Sequence, residues 1–327
     1  MLLAGDIGGT KTLLALYETG PDGLIELREK TYQSTGYASL EVIAREFLGD
    51  GPLPEAACFG VAGPVLDGCC RTTNLPWRIS ERTMAETLGI GRVKLLNDLQ
   101  AMALGLLTLG PENWVELNPE AVPAQGTLAV LAPGTGLGEA ILYWDGSMHR
   151  PLATEGGHAD FAPNDAIEDG LLAYLRQKLG GHVSYERILS GAGIVDLYGY
   201  LGSTGIPPEA PEVAALLARA EDPASEISRA ALEEGDPLSR ETLRRFALIF
   251  GAEAGNLVLK CLARGGVLIG GGIPPKILPL LRDGAFLQGF RAKGRFEGFM
   301  RSLSVRVALD ARTALRGAAE FMARDLR

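Results

Sequence analysis

The chain has 327 residues, 46% of them hydrophobic, with a formal charge of −9 and a pI of about 5.1. That length exceeds the size at which one core stops growing, so two domains are expected. The acidic balance argues against nucleic acid as a partner, because neutralising phosphates needs a basic surface, and no apolar run is long enough for a membrane-spanning helix. The N-terminal residues run straight into an apolar strand without a basic start or cleavage site, so a secretory leader is not expected. Cys58, Cys69, Cys70 and Cys261 show neither disulfide-framework nor zinc-knuckle spacing, so free thiols in a reducing cytoplasm are the expectation.

The apolar start MLLA runs into GDIGGT at 5–10, and residues 13–17 are apolar again. The glycines therefore join two antiparallel strands, unlike a P-loop or a Rossmann turn, each of which feeds a helix. In such a turn the N–H groups of Gly8, Gly9 and Thr10 can cradle phosphate, the Thr10 hydroxyl adds a donor, and Asp6 is placed to hold Mg²⁺ or its water. A plain glycine hairpin with a turn aspartate is the structural alternative. Periodicity then predicts strands at 24–31 and 56–61, a short strand near 68–73, an apolar strand at 93–96, and helices at 39–47 and 81–88. In TTNLPW, Asn74 reads as a turn residue or a sugar contact.

A helix starts near Asp98, where Leu99, Met102, Ala103, Leu106 and Leu107 form one apolar stripe. Asn97 and Asp98 end the strand VKLLN, and their plain role is a helix N-cap. Their functional role would be chemical, with Asp98 as general base and Asn97 orienting the same substrate. Gly110, Pro111 and the loop to Gln125 mark a domain boundary.

Residues 132–146, APGTGLGEAILYWDG, repeat the first hairpin: Gly134 matches Gly8, Tyr143 matches Tyr17 and Gly146 matches Gly20, each 126 residues on. The chain reads as internally duplicated. EGGHAD at 155–160 is a tight turn whose Glu155 and His158 can grip a sugar diol; a structural hydrogen bond or half a metal site are the alternatives. Zinc fits poorly, with three histidines in the chain and no cysteine near this one. Helices are predicted at 165–178, 185–189, 194–201, 212–219 and 238–262. Glu186 falls one turn inside a helix capped by Ser184, an ordinary place for an acid. GGVLIGGGI at 265–273 is a strand running into three glycines, and Pro274 and Pro275 suit a helix start. A strand at 305–309 and a last helix carrying Leu315, Ala318, Ala319, Met322 and Leu326 on one face complete the chain.

Two α/β halves that each offer a glycine hairpin to phosphate resemble the actin, Hsp70 and sugar kinase superfamily. More closely, GDIGGT, LLND, APGTGLG, EGGHADFAPN, ERILSGAG and IGGGI stand in the order and approximate spacing of bacterial glucokinases, over nearly the whole chain. The resemblance implies a two-domain actin-like (ribonuclease H-like) ATPase fold with a cleft between a smaller N-terminal and a larger C-terminal domain. The small domain would be 1–110, completed by the C-terminal helix within 310–327, and the large one 111–309. It implies phosphoryl transfer from MgATP to the 6-hydroxyl of glucose with Asp98 as base, and glucose contacts from Asn97, Asp98, Glu155, His158 and Glu186. ATP would lie at Gly5, Asp6, Ile7, Gly8, Gly9, Thr10, Gly134, Thr135, Gly136, Gly271 and Gly272, with Mg²⁺ near Asp6; Lys11 is given no role. A cytoplasmic homodimer is expected. The related repressor and kinase group shares the DxGGTK start and ExGH turn but adds a cysteine-rich zinc motif absent here. A non-catalytic sugar sensor, another hexose kinase and an Hsp70-type ATPase are the alternatives. The sensor would call for a DNA-binding extension ahead of Met1, and the Hsp70-type ATPase for a peptide-binding domain beyond Arg327.

Overall fold

The computed structural model of the chain describes every residue except Asp22, Thr73, Asn74, Ala311 and Arg327, so the Asn74 reading lies outside the described residues. In chain order the first elements are β1 (Leu2–Ile7), β2 (Lys11–Gly20), β3 (Gly23–Gln33), α1 (Leu40–Leu48), β4 (Ala56–Val61), β5 (Val65–Leu66), β6 (Cys69–Arg71), β7 (Arg78–Ser80), α2 (Glu81–Leu88), β8 (Arg92–Asn97) and α3 (Asp98–Leu106). They continue with β9 (Trp114–Glu116), β10 (Leu128–Pro133), β11 (Leu137–Trp144), β12 (His149–Ala153), α4 (Ala166–Leu179), α5 (Gly191–Thr204), α6 (Pro211–Leu217), α7 (Pro223–Arg229) and α8 (Pro237–Cys261). β13 (Gly266–Ile269), α9 (Leu278–Arg282), α10 (Ala285–Arg291), α11 (Glu297–Arg301), β14 (Val305–Ala308) and α12 (Thr313–Asp325) follow. Among the described residues no helix is long and apolar enough to cross a membrane.

Two compact units form, one of Met1–Asn113, Pro151–Ala153 and Asp310–Arg327, the other of Trp114–Arg150 and Thr154–Leu309. In the first, the sheet order is β3-β2-β1-β4-β8, with β1, β4 and β8 parallel. Every residue of β4 is buried, as a central strand covered on both faces requires. Alternation sends Leu3, Ile7 and Phe59 to one core with Ile43 and Phe47 of α1. It sends Leu2, Ala4 and Cys58 to another with Leu104 of α3 and Leu315, Ala318 and Met322 of α12.

The second unit repeats the plan. Its sheet order is β12-β11-β10-β13-β14-β9, so the first five strands in chain order after β9 take the same arrangement as in the first sheet. The core lies around the 25-residue α8, where Phe250 meets Phe286 of α10 edge-on at 5.2 Å. α8 starts cleanly because Asp236 accepts from Ser239 N at 2.8 Å and Pro237 takes the first helical position.

Several expectations are corrected. The loop expected up to Gln125 contains β9, which pairs antiparallel with β14. The helix expected at 185–189 is a three-residue 3-10 turn, Tyr185–Arg187, and the Ser184 hydroxyl makes no cap bond to it. Pro274 and Pro275 lie in a turn, and the helix begins only at Leu278.

Candidate active site

In the first unit, parallel pairing sets Ile7 level with Val61 and Val61 level with Asn97, so the carboxyl ends of β1, β4 and β8 share one edge. Asp6 and Asp98 both stand at that edge. Burial, and then the charge of Asp98, push the Asp6 carboxyl up to about 6. Asn97 is the N-cap of α3: its Oδ1 accepts from Leu99 N at 2.9 Å, while Gln100 Oε1 accepts from Asn97 N at 3.1 Å. Its Nδ2 donates to Gly63 O at 3.2 Å, tying β8 to the loop after β4. Asp98 is the first helical residue, and its Oδ1 shares the Leu99 N–H at 2.9 Å. Capping therefore falls to Asn97, while the charge of Asp98 acts on Asp6.

The first glycine turn is tighter than the sequence suggested. Gly8 N donates to Lys11 O at 2.9 Å, so this N–H closes the hairpin and is not offered to phosphate. Gly5 and Ile7, expected at the nucleotide, are buried in β1; a Cβ on Gly5 would lie 2.5 Å from the Phe59 ring, so packing explains that glycine. Gly9 is half-buried and Thr10 exposed. Ser34, which no motif marked, holds the turn: its Oγ donates to Gly8 O at 3.0 Å and its N to Thr10 O at 2.8 Å.

In the second unit three glycine segments converge. Gly134, Thr135 and Gly136 join β10 to β11, with Pro133 opposite Leu137 and Gly134 N donating to Gly136 O at 2.8 Å. Gly191, at the start of α5, donates its N–H to Gly134 O at 2.9 Å. After β13, Gly271 has φ +86° and packs so closely on Pro133 that an added Cβ would meet its carbonyl oxygen at 2.5 Å. Added Cβ atoms at Gly134 and Gly272 would meet nothing within 4 Å, so space stays open over both turns. α5 begins here with Ser190 as cap, its Oγ accepting from Gly193 N at 3.1 Å; Ser190 and Gly191 were missed by sequence reasoning.

Glu155 and His158 bracket a 3-10 turn, Gly156–His158, and both are exposed. The turn is seated on β11. Thr154 Oγ1 donates to Glu139 O at 2.8 Å and accepts from Gly156 N at 3.1 Å. A Cβ on Gly157 would collide with the Leu137 carbonyl, so only glycine permits this approach. Glu186 links turn and hairpin, because its Oε2 accepts from Leu137 N at 3.0 Å while its Oε1 lies 3.9 Å from His158 Nδ1. Beneath, Glu139 is buried on β11, and burial with the facing Glu253 carboxylate drives its carboxyl well above the ordinary carboxylate range.

Each unit by itself carries parts suited to phosphoryl transfer: the first an acid pair beside its glycine turn, the second a glycine cradle with carboxylate and imidazole groups next to it. The glucokinase family model matches residues 3–325. The glucokinase of Synechocystis is 41% identical over 97% of this chain and 96% of its own. The crystal structure of a glucokinase from an Antarctic psychrotroph is 29% identical, covers 99% of this chain and 98% of its own, and superposes with a TM-score of 0.84. A glucokinase of the ROK family from Streptomyces griseus, solved with glucose and AMPPNP, shares the fold at 22% identity and a TM-score of 0.67, over 98% of each chain. With the family model spanning almost every residue and a relative above 40% identity over the same length, the chain belongs to the glucokinase family, on the two-domain actin-like sugar kinase fold.

Proposed function

We propose that the chain transfers the γ-phosphoryl group of MgATP to the 6-hydroxyl of glucose, giving glucose 6-phosphate and ADP, with Asp98 as the general base. The observation that carries this reading is the pairing of Asp98 with Asp6 at the level carboxyl ends of β1 and β8, beside the first glycine turn. A carboxyl group whose proton affinity is raised by burial and by a neighbouring carboxylate suits a site that divides the work between one cation ligand and one base. Mg²⁺ fits at Asp6, and when bound it would neutralise charge on the β- and γ-phosphates.

Asp98 takes the hydroxyl proton as charge builds on the transferring group, and Asn97 fixes the start of α3 from which Asp98 projects. Glu155, His158 and Glu186 hold the sugar hydroxyls; Glu186 keeps Oε1 for this task while Oε2 holds Leu137 N. Gly9, Thr10, Gly134, Thr135 and Gly136 cradle phosphates, and Gly271 and Gly272 support the nucleoside. The base belongs to a small domain, 1–110 with 310–327, and the sugar turn to a large one, 111–309. The enzyme acts in the cytoplasm as a homodimer, so sedimentation should give twice the chain mass of 34.6 kDa, and a monomer at micromolar concentration would refute the dimer. The activity is tested by coupling glucose 6-phosphate formation from ATP and glucose to NADP reduction. No turnover by the folded protein would overturn the reading.

A further inference from the structure

The carboxyl group of Glu139 is the least explained polar group in the second unit. It is 1% exposed, and neither oxygen has a hydrogen-bond partner other than what a neighbouring carboxyl group could supply. That neighbour is Glu253 of α8, fully buried and within hydrogen-bonding reach. Glu253 is the anchored member: its Oε2 accepts from Asn256 Nδ2 at 2.8 Å and its Oε1 lies 3.5 Å from Lys260 Nζ. Asn256 in turn donates to Tyr185 Oη at 3.0 Å and accepts from Lys293 Nζ at 2.7 Å, so its amide orientation is fixed. Two ionised carboxylates here would bury a double negative charge with a single ion pair, Glu253 to Lys260, among the described residues to offset it, which is untenable. One proton held between them gives each the partner it lacks.

We propose that Glu139 and Glu253 share a single proton and, as a pair, are positioning residues that seat the Glu155–His158 turn for glucose. The reading rests on the sugar role of that turn given above. Glu139 supports the turn twice, through its carbonyl oxygen to Thr154 and through its carboxyl against Gly156, where an added Cβ would lie 3.0 Å from Glu139 Cδ. Loss of the proton sets two carboxylates against each other. Glu253 is held by Asn256 and Lys260, so the strain falls on Glu139 and the turn above it. The charged and titratable groups around the pair are Lys260 on α8, Lys293 after α10, Tyr185 on its 3-10 turn and Glu168 of α4 beyond Lys293, and the turn whose Gly156 packs on Glu139 carries Glu155 and His158. Burial and the opposing charge hold the Glu139 proton up to about 8.

The test compares wild type, Glu139→Gln and Glu253→Gln in glucose kinetics from about pH 7 to about pH 9, with infrared detection of a protonated carboxyl group at about pH 7. In wild type, KM for glucose should rise about tenfold across that range while kcat changes far less, in step with loss of the infrared band. Glu139→Gln, which keeps shape and supplies a donor to Glu253, should hold the wild-type KM at about pH 7, flatten the alkaline rise and remove the band; thermal melting confirms its fold. Glu253→Gln should also flatten the rise. An alkaline rise unchanged in folded Glu139→Gln, or no protonated band in wild type that this substitution removes, overturns the proposal. Failure of the sugar reading shows differently, as absence of glucose turnover in wild type with the infrared band still present.

Discussion

Substituting alanine for Gly157 tests whether the seat of the sugar turn on β11 sets the activity. Gly157 is not in the left-handed region, so alanine is conformationally acceptable and the effect is purely steric. The added Cβ would lie 3.0 Å from Leu137 C and 3.2 Å from Leu137 Cβ, and nearer still to the carbonyl oxygen. Normal contact needs ~3.5–4.0 Å, so the turn must lift by about 1 Å. A misplacement of that size in a positioned group costs ~10²-fold in rate, about 2.7 kcal/mol of barrier. Gly157→Ala should therefore lower kcat/KM for glucose by ~10²-fold in the coupled assay, while KM for ATP moves much less. Gly181→Ala is the control, since its added Cβ would meet nothing within 4 Å, and it should stay within about twofold of wild type. A folded Gly157→Ala enzyme within about threefold of wild type would refute the reasoning.

Asp98→Asn keeps an oxygen for Leu99 N and should leave melting temperature and glucose KM near wild type while kcat falls at least ~10²-fold; a variant keeping more than half of kcat rules out a base at this position. For Asp6, the folded-state pKa is raised from 3.8 to about 6, so its contribution to stability is present at low pH and lost as pH rises between those values. Without Mg²⁺, denaturant unfolding should show wild type losing ~3 kcal/mol relative to Asp6→Asn between about pH 3 and about pH 7, and parallel pH profiles for the two proteins would contradict the buried acid pair. Among sugars, glucose should be preferred over N-acetylglucosamine and 2-deoxyglucose, because a missing or blocked hydroxyl leaves site groups unsatisfied at ~1–3 kcal/mol; kcat/KM across the panel checks this, and a better substrate than glucose removes the specificity claim.

What was legible in the sequence was what is local. The glycine hairpins, the apolar run of β4 and the long α8 each carry their signal within a dozen residues or along one helix face; β4 and α8 form within one residue of the expected bounds, while β2 runs on to Gly20, three residues past the expected end. The cap-or-base ambiguity at 97–98 could not be resolved by pattern, since both residues cap well; only the Gln100 and Gly63 bonds assign capping to Asn97. Ser34 was invisible because its partner Gly8 lies 26 residues away across β2. Glu139 carries no signal of its own in the sequence, since the meaning of its burial depends on Glu253 arriving from α8. The 3-10 turn at Tyr185–Arg187 was mistaken for a helix because three residues carry too little period to separate the two.

On the proposed reading the two duplicated halves divide the chemistry. Both sheets keep the same strand order, yet the first hairpin pairs Ile7 with Thr12 and the second pairs Pro133 with Leu137, so the second turn is one residue shorter. The longer turn is braced by a neutral hydroxyl, Ser34, so the brace adds no charge beside the acids Asp6 and Asp98. The shorter turn is braced by a carboxylate, Glu186, whose second oxygen reaches toward His158. On the proposed reading, a brace that is itself a ligand group couples the position of the phosphate turn to that of the sugar turn. A hydroxyl brace holds the first turn without adding charge beside the base. Replacing Glu186 by Gln should thus disturb ATP and glucose binding together, whereas replacing Ser34 by Ala should weaken ATP binding and leave KM for glucose nearly unchanged. KM values for both substrates in the two variants measure this, and an ATP-only effect of Glu186→Gln would break the proposed coupling.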